Sequence, residues 1–262
     1  IATPHSEHCN AALTLLENGV PVLCEKPLAV NQKQVEKMIS AAEKSNTFLM
    51  EAMWTRHLPI YEEVISIIKK GHIGEPKLVE ASLGFNSPYE PESRLWNPEL
   101  AGGSLLDVGI YPLTLADLVY EKSPEKVFSV AELSPDGVDA NLSMLIQYPN
   151  SSMAKLSSAI NLSLPNGALI LGESGSIEIP YFWCAEKAFL KQASKNEEIN
   201  KTHQINGFEY QIREVERCLS EGLTQSPKVS WKCSHSMAQL MDQIRTQIGV
   251  NYPADSQEQD GI

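Results

Sequence analysis

The sequence predicts an α/β unit followed by an α+β domain. Residues 1–52 alternate between short apolar strands and helical segments, an order typical of a parallel sheet. After residue 52, a helix precedes several consecutive strand-like segments, and two helices close the chain. That second order is typical of a large, mainly antiparallel sheet with helices packed on it. Because 262 residues are enough for two domains, we predict one domain over 1–52 and another over 53–262.

The elements of the first unit follow from apolar spacing and from capping residues. Apolar residues recur at helical spacing over 6–18, and Gly19 marks the end of that helix. The first strand has hardly any residues before Thr3, so we expect either that an N-terminal portion precedes Ile1 or that the sequence is a natural short form. The predicted elements are the end of a strand at Ile1–Thr3, a helix over 6–18, a strand at Val20–Cys24, a helix capped by Asn31 with Gln34, and a strand at Thr47–Met53.

The second domain alternates in pattern with a period near two over most of its length. Pro, Gly, Asn and Ser turns separate these strand-like segments. Helical periodicity is confined to four segments, Pro59–Lys70, Ser104–Tyr120, Glu209–Ser220 and Ser236–Ile248. The predicted strands are Lys77–Phe85, Val127–Leu133, Ala140–Tyr148, Ser152–Leu162, Ala168–Gly172, Ser176–Ile179 and Ala188–Gln192.

Composition and charge exclude several classes of protein. The net charge is −12, whereas a nucleic-acid binder normally carries a basic surplus. No apolar run approaches the roughly 20 residues needed to span a bilayer, and no secretory leader opens the sequence. The five cysteines are scattered without a CxxC pair, which suggests neither a zinc site nor a disulfide framework. We therefore expect a metal-free protein with reduced thiols in the cytoplasm.

Three polar segments follow the predicted strands of the first unit. They are Thr3–His5, Glu25–Pro27 and Met53–Arg56. Ligands of open parallel sheets bind beyond the carboxyl ends of the strands, so these segments are expected to converge on one edge. Lys26 is notable because a lysine directly after a buried strand must be solvated or paired. The alternative is that Lys26 is an ordinary loop lysine.

A second candidate site lies in the motif Gly102–Pro112. Ser104 is placed to cap the helix, and Asp107 three residues later completes a capping box, which would explain Asp107 structurally. Asp107 and Tyr111 are also four residues apart and share one helix face, where a carboxylate and a phenol can transfer protons. A nearby cation such as Lys26 would lower the pKa of Tyr111. The competing interpretation is that Tyr111 is a core tyrosine.

Motifs spread over nearly the whole sequence resemble one family. They occur in that family's order, and together they are far more specific than any of them alone. The sequence resembles the glucose–fructose oxidoreductase/inositol dehydrogenase (Gfo/Idh/MocA) family, and within it the branch of dihydrodiol and D-xylose dehydrogenases. The segments that carry the resemblance are Thr3–His8, Cys24–Pro27, Glu51–Arg56, Gly102–Tyr111 and Gly207–Val215.

The resemblance implies an NADP-dependent oxidoreductase acting on a vicinal diol or an aldose. It implies that 1–52 is the C-terminal half of a Rossmann-type sheet and that 53–262 supplies catalysis, substrate binding and homodimerisation. In the hypothesis that follows, Tyr111 takes the substrate hydroxyl proton while hydride leaves for the nicotinamide, Lys26 stabilises the charges, and Asp107 orients the groups or binds a second hydroxyl. The expected cofactor-binding residues are Thr3, Pro4, His5, Glu25, Lys26, Trp54 and Arg56, and the expected substrate-binding residues are Trp54, Phe85, Asp107 and Tyr111.

Each of these roles has a structural alternative. Trp54 and Phe85 are also typical core residues, Arg56 also suits an ion pair with a carboxylate such as Glu51, and His8 also suits helix packing. The Gly-rich phosphate-binding turn, G-x-G-x-x-G, does not occur in the sequence. The residue that selects NAD or NADP is absent with it, so the expectation of NADP rests on the resemblance to the branch.

Two further functions remain open at the level of the sequence. The first is an NAD-dependent glycosidase, because some members of this broad family cleave sugars through transient oxidation. The second is a non-catalytic dimeric binding module, since the phosphate-binding turn is missing. Net reduction of cofactor would indicate a dehydrogenase, sugar release without net reduction a glycosidase, and dimerisation without cofactor binding a module.

Overall fold

The fold of residues 1–193 and 195–256 was described from a computed structural model. Two sheets organise the chain, a parallel pair near the N-terminus and a sheet of eight strands after it. The pair belongs to a Rossmann-like α/β unit, and the large sheet carries helices against its core face. The predicted fold class, α/β followed by α+β, is therefore confirmed.

The α/β unit contains two helices and two strands, each near its predicted position. They are α1 (His8–Glu17), β1 (Val22–Glu25), α2 (Gln32–Ser45) and β2 (Leu49–Ala52). β1 and β2 pair in parallel, with Val22 opposite Leu49. Ile1 does not lie in a regular strand, but its backbone joins the same ladder. Its amino group donates to the Leu23 carbonyl at 2.7 Å, and its carbonyl accepts from the Glu25 N–H at 3.0 Å.

Helix α2 forms where the sequence predicts it, for the predicted reason. The Asn31 side chain accepts a hydrogen bond from the Gln34 backbone N–H at 2.9 Å and so satisfies an otherwise unpaired donor of the first turn. Val35, Met38 and Ala42 lie on one face and are buried against β1 and β2 in a separate small core. The apolar spacing therefore fixes which face of α2 packs on the sheet.

The second domain consists of eight strands and the remaining helices. The large sheet has the order β10-β9-β8-β7-β3-β6-β5-β4, and all neighbouring strands are antiparallel except β3 and β6. The elements are α3 (Pro59–Lys69), β3 (Pro76–Gly84), α4 (Ile110–Tyr120), β4 (Lys126–Leu133), β5 (Asp139–Gln147), β6 (Met153–Ala159), β7 (Gly167–Gly172), β8 (Gly175–Pro180), β9 (Lys187–Gln192), β10 (Asn196–Asn200), α5 (Phe208–Ser220), α6 (Trp231–Ile248) and α7 (Pro253–Ser256).

One face of the large sheet packs on helices and the other is exposed. In β5 the side chains of Leu142, Met144 and Ile146 are buried, whereas Ser143 and Leu145 between them are exposed. Alternation of this kind is expected where only one face of an antiparallel sheet is covered. Nearly every residue of α4 is buried, because this helix lies between the sheet and the rest of the domain. The main core of the molecule is therefore in this domain.

Strand β10 and the start of α6 differ from the prediction. Strand β10 was not predicted, since its sequence is polar and all but Ile199 is exposed, so it lacks the apolar alternation of the other strands. Helix α6 begins at Trp231, five residues before the predicted start at Ser236, with the Ser230 side chain accepting from the Cys233 N–H at 3.2 Å. The first turn of α6 is mostly polar, which hides it from a periodicity search.

The predicted capping box at Ser104 and Asp107 is wrong. The Ser104 hydroxyl donates to Asp139 Oδ2 at 2.7 Å, and the Leu105 backbone N–H donates to the same oxygen at 2.6 Å. A carboxylate from β5 therefore satisfies the start of this helical segment, and the side chain of Asp107 is left for other partners. Gly103 permits the arrangement, because a Cβ at that position would collide with the Asp139 carboxylate.

Helix α6 returns from the second domain to the α/β unit. The Trp231 indole N–H donates to the Leu49 carbonyl of β2 at 2.9 Å. At the other end of the contact, the Gln32 backbone N–H at the start of α2 donates to Asp242 Oδ2 at 2.8 Å. Residues predicted for the second domain thus cover one side of the first.

Two expectations about the whole molecule concern membranes and metals. Among the described residues, no helix combines the length and apolarity needed to cross a membrane. Within the same ranges, no three His, Cys, Asp or Glu side chains come together as a metal site would require.

The buried carboxyl of Asp139 is expected to make stability depend on pH. Burial raises its pKa to about 6 from the usual 3.8 of an aspartate. The native state therefore holds this proton more tightly than the unfolded chain, and the stabilisation that results is lost as the pH rises through about 6. Unfolding by urea should show that this group lowers the free energy of unfolding by about 3 kcal/mol between about pH 4 and pH 7.

The control variant is Asp139→Asn, whose amide oxygen can accept the same two hydrogen bonds without ionising. The stability difference between the variant and the wild-type protein should grow in favour of the variant as the pH rises. A difference that stays constant with pH would mean that Asp139 does not titrate in this range.

Candidate active site

Lys26 lies where β1 ends and reaches across to the second domain. Its ammonium group donates a hydrogen bond to the main-chain carbonyl of Asp107 and lies 3.4 Å from Asp107 Oδ1. Burial lowers the pKa of Lys26, and the carboxylate of Asp107 opposes that effect. The predicted pairing of this lysine is therefore present, and its partner belongs to the second predicted motif.

Asp107 is shared between two cations. Oδ1 also accepts a hydrogen bond from Arg94 Nη1 at 2.9 Å, and the carboxylate is only 10% exposed. Burial acts to raise the pKa of Asp107, but the charges of Lys26 and Arg94 outweigh it and hold that pKa below its usual value. Asp107 is thus an ionised carboxylate that fixes both cations at one place.

Tyr111 lies beside the same pair of charges. The Lys26 ammonium is 5.2 Å from the centroid of the phenol ring. The expectation that Lys26 lowers the pKa of Tyr111 is wrong for this arrangement, because burial dominates and raises that pKa. The ammonium lies over the ring, and burial affects the pKa of the hydroxyl more than this charge does. Tyr111 therefore holds its proton at neutral pH.

A wide helical turn places Asp107 and Tyr111 next to each other. Residues Leu105–Gly109 form a π-helical turn, in which the Ile110 N–H donates to the Leu105 carbonyl five residues back. Such turns are rare and occur often at functional sites. Pro112 follows without an N–H to donate to the preceding turn, and the carbonyl of Asp107 accepts from Lys26 instead. The local sequence thus helps to leave this carbonyl available.

Lys26, Arg94 and Asp107 line a pocket at the carboxyl end of β1, whereas Tyr111 and Trp54 are not among its lining residues. Its volume is about 320 Å³, within the lower range of small-molecule sites. Two of the three segments predicted to converge, and the second motif, contribute to its walls. The lining residues are Ala2, Thr3, Pro4, His5, His8, Glu25, Lys26, Arg94, Leu100 and Asp107.

The two histidines of this pocket are held by backbone carbonyls. His5 Nδ1 lies 3.0 Å from the Ala101 carbonyl, and burial lowers the pKa of His5 to about 4. The ring is therefore neutral near pH 7, and because a carbonyl only accepts, we assign the proton to Nδ1. His8 contacts the carbonyls of Pro27 at 2.8 Å and Thr3 at 3.0 Å. Because burial lowers the pKa of His8, its neutral ring donates to one of these carbonyls and only contacts the other. His8 therefore packs between two loops, in line with the structural interpretation of this residue.

Trp54 forms an aromatic pair that the sequence did not predict. Its ring stacks on Phe208 with centroids 4.4 Å apart and an interplanar angle of 15°. Trp54 Nε1 is buried and makes no hydrogen bond of good geometry among the described residues, but the indole lies close enough to the Tyr111 hydroxyl to oppose the effect of burial on the pKa of Tyr111. Phe208 is 41% exposed and follows Gly207, which has a positive φ and whose lack of a Cβ leaves room for the Trp54 ring. The Gly207–Val215 motif was visible in the sequence, but nothing in it indicated that Phe208 meets Trp54.

Arg56 and Phe85 lie apart from the pocket that contains Lys26. Arg56 forms an ion pair with Asp117 of α4. An ion pair with a carboxylate was the structural alternative for Arg56, but the partner is Asp117 and not Glu51. Phe85 follows β3, where its N–H donates to the Ala159 carbonyl at 3.1 Å, and its ring packs against the main core. Neither residue lines the pocket, so this geometry gives no support to a cofactor role for Arg56 or a substrate role for Phe85.

Arg94 is a site residue that sequence reasoning missed. Its side chain is 57% exposed, and its guanidinium uses one donor on Asp107. It lies between strand β3 and the π-helical turn, in a segment without periodic pattern. Only its position in space shows that it faces Asp107.

Comparison with known proteins identifies the family. Residues 1–53 match the oxidoreductase family with an NAD-binding Rossmann fold, and residues 61–178 match the GFO/IDH/MocA C-terminal domain. The trans-1,2-dihydrobenzene-1,2-diol dehydrogenase of Xenopus laevis is 38% identical over 257 residues, which cover 95% of this chain and 77% of that protein. The protein of the same name from Mus musculus is 34% identical over 262 residues, covering 97% and 78%.

Solved structures agree with this result at the level of the fold. Aldose-aldose oxidoreductase from Caulobacter crescentus superposes with a TM-score of 0.85 at 25% identity, over 94% of this chain and 75% of that one. A 3-ketoreductase from Actinomadura kijaniata, in complex with NADP and TDP-benzene, gives a TM-score of 0.85 at 23% identity, over 96% and 78%.

The chain belongs to the Gfo/Idh/MocA family of NAD(P)-binding oxidoreductases. The resemblance inferred from the sequence motifs is thereby confirmed, and so is the likeness to dihydrodiol dehydrogenases within that family.

Replacing Lys26 by methionine is expected to stabilise the native state. A lysine whose pKa is lowered by burial binds its proton less tightly in the native state than in the unfolded chain. At neutral pH the charge therefore costs stability, and that cost disappears as the pH rises toward the unfolded pKa of about 10.4. Because Asp107 retains Arg94, Lys26→Met should raise the free energy of unfolding near pH 7.

Denaturant unfolding of the two proteins near pH 7 and near pH 10 measures this effect. The gain should shrink at the higher pH. A variant that is less stable than the wild-type protein near pH 7 would show that the Lys26–Asp107 contact outweighs the burial of the charge.

Proposed function

We propose that this chain is an NADP-dependent dehydrogenase that acts on the CH–OH group of a vicinal diol or an aldose. The observation that carries the proposal is the meeting of the Lys26 ammonium, the Asp107 carboxylate and the Tyr111 phenol, of which Lys26 and Asp107 line one pocket and Tyr111 lies against Lys26. A cation, an anion and a protonated phenol at one point are the groups needed to bind a hydroxyl and move its proton.

In this proposal Tyr111 is the acid and base at the substrate oxygen. Burial keeps the proton on Tyr111 Oη at neutral pH, so the phenol is ready to protonate an alkoxide when a carbonyl is reduced. In the direction of alcohol oxidation, Tyr111 first loses its own proton to solvent, and the phenolate then receives the hydroxyl proton, while the nearby Lys26 charge stabilises the negative charge on oxygen. Asp107 holds Lys26 in place and offers an acceptor for a second substrate hydroxyl.

The residues of the pocket fit the nicotinamide end of the cofactor. The pocket lies beyond the carboxyl end of β1, as ligand sites of open parallel sheets do, and it combines a buried cation with a neutral His5. In the proposal Thr3, Pro4, His5, Glu25 and Lys26 hold this end. When bound, the nicotinamide supplies the hydride chemistry, and the protein supplies position and electric field.

The choice of NADP is supported by the structural neighbour that binds NADP and by the likeness to dihydrodiol dehydrogenases. Fluorescence titration with NADPH and NADH in parallel tests this choice on the chain of residues 1–262. If the gene encodes residues before Ile1, the same titration is made on the chain that includes them. Tighter binding of NADPH supports the proposal. Tighter binding of NADH contradicts this part of it.

The substrate class is supported by the chemistry of the pocket. A carboxylate and a cation side by side can each bind one of two neighbouring hydroxyls, as a vicinal diol or an aldose presents them. In the proposal the remainder of such a substrate lies against the stacked Trp54–Phe208 pair, in which Trp54 is a neighbour of Tyr111. Net reduction of cofactor with diols or aldoses would support a dehydrogenase, whereas sugar release without net reduction would contradict it.

We further propose that the protein is a homodimer joined through the exposed face of the large sheet. Phe128 is 60% exposed and Val130 is 72% exposed on β4, and Leu145 faces the same side opposite Phe128. Apolar side chains this exposed are typical of a protein–protein contact when they lie together.

The dimer is tested by molecular mass in solution. We expect a dimer for the wild-type protein and a monomer for Phe128→Glu with Val130→Glu, since a buried unpaired charge costs several kcal/mol per site. Glu132→Gln on the same strand is the control and should remain dimeric. A monomeric wild-type protein would contradict the proposal.

Replacing Tyr111 by phenylalanine tests the proposed chemistry. Loss of the acid–base group should lower kcat by roughly 10²–10⁴-fold, while the affinity for cofactor changes little because the ring remains. The measurement is steady-state reduction of NADP together with a titration of cofactor. A kcat near that of the wild-type protein would remove Tyr111 from the reaction.

A further inference from the structure

A buried glutamate stands behind Lys26 on the neighbouring strand. Glu51 lies in β2 opposite Cys24 of β1 and is only 5% exposed. One carboxylate oxygen, Oε1, accepts the backbone N–H of Leu28 at 2.9 Å. The other, Oε2, accepts the hydroxyl of Ser234 at 2.5 Å. A single buried carboxylate therefore joins a strand, a loop and a helix.

The loop that Glu51 binds is the one that carries Lys26. β1 ends at Glu25, and the chain turns through Lys26 and Pro27 before Leu28 becomes buried. A buried backbone N–H without an acceptor costs about 1–3 kcal/mol. The hydrogen bond from the Leu28 N–H to Glu51 therefore stabilises this form of the turn. Glu51 thus fixes the loop two residues after the ammonium-bearing side chain.

The helix that Glu51 binds is α6, near the end of the chain. Ser234 lies in its first turn, and Trp231 next to it donates to the backbone of β2. The bonds from Trp231 to Leu49 and from Ser234 to Glu51 both join α6 to β2. A movement of the Glu51 carboxylate away from α6 would break its bond with Ser234. The position of the Lys26 loop is therefore linked to a helix that does not line the pocket.

We propose that Glu51 is a positioning residue that holds the Lys26 ammonium beside Asp107, and that Ser234 of α6 holds Glu51 in turn. The assignment rests on the proposed function for its consequence in turnover. Its geometric part, the placement of the Lys26 ammonium, is independent of which substrate or cofactor the protein uses.

The carboxylate suits this task better than its neighbours on β2. Two donors approach it from different elements, and each of its two oxygens accepts one of them. Met50 and Ala52 beside it in the strand are apolar and buried, and offer no acceptor on their side chains. A glutamine has the same shape and can still accept from Leu28 while donating to Ser234, so it should preserve the placement.

The test measures the reactivity of Lys26 by competitive acetylation at several pH values, read by mass spectrometry. Glu51→Ala frees the loop, so Lys26 should move toward water and the pH midpoint of its acetylation should rise toward that of an exposed lysine. Glu51→Gln should show no such rise. Where substrate turnover is measurable, Glu51→Ala should lower kcat by about 10–100-fold with little change in KM.

The matched control is Glu214→Ala in α5. Glu214 is also buried and also accepts a serine hydroxyl, that of Ser226, but it does not contact the Lys26 loop. It should lower the stability and leave the midpoint of Lys26 unchanged. If Glu51→Ala does not fold, Glu51→Asp replaces it, since the shorter side chain cannot span both donors, and the midpoint should again rise.

The outcomes separate the two proposals. A wild-type midpoint in Glu51→Ala, or in Glu51→Asp if the first does not fold, would overturn the positioning role even if the variant is less stable. A midpoint that rises equally in Glu51→Gln would also overturn it, because glutamine keeps both hydrogen bonds and loss of the loop's placement could not be the cause. If the wild-type protein oxidises no diol or aldose, the proposed function fails, while the midpoint still decides the role of Glu51.

Discussion

The contact between Lys26 and Asp107 is the constraint on which the site depends. Lys26 ends a strand of the α/β unit and Asp107 lies in a helical turn of the second domain, so the contact joins the two halves of the molecule. Burial disfavours both charges. The Asp107 carboxylate favours the charge on Lys26, and Lys26 together with Arg94 holds Asp107 ionised. The pocket, the ring of Tyr111 and the loop held by Glu51 are all arranged around this pair.

Each member of the pair is held by groups that lie far from it in sequence. Asp139 of β5 accepts hydrogen bonds from Ser104 and Leu105 and so fixes the start of the π-helical turn. The position of that turn determines where the Asp107 side chain lies. On the other side, α6 is tied to β2 behind the Lys26 loop. The two residues that hold these segments in place, Asp139 and Glu51, are buried carboxylates that form no ion pair among the described residues. Burying these charges lowers the stability of the folded state, and the favourable packing of the rest of the fold compensates for it.

The candidate site was predictable in part, and the reason differs between residues. Lys26 follows a recognisable buried strand, and Asp107 and Tyr111 share one motif, so their roles were open to prediction. Arg94 was missed because its segment has no periodic pattern, although Asp107 is only 13 residues away. Phe208 was missed because it contacts Trp54 across a long stretch of chain. The capping box at Ser104 and Asp107 failed for the same reason, since a carboxylate from another strand competed successfully for the Ser104 hydroxyl.

The sequence by itself determined the order of elements, the face that each helix buries, and the family to which the chain belongs. These properties follow from local periodicity, capping residues and motif order, which act over a few residues at a time. Only the tertiary structure decided which charges meet, that Arg56 pairs with Asp117, and that burial raises rather than lowers the pKa of Tyr111. Those outcomes depend on distance and on exclusion of water, and neither is encoded by spacing along the chain.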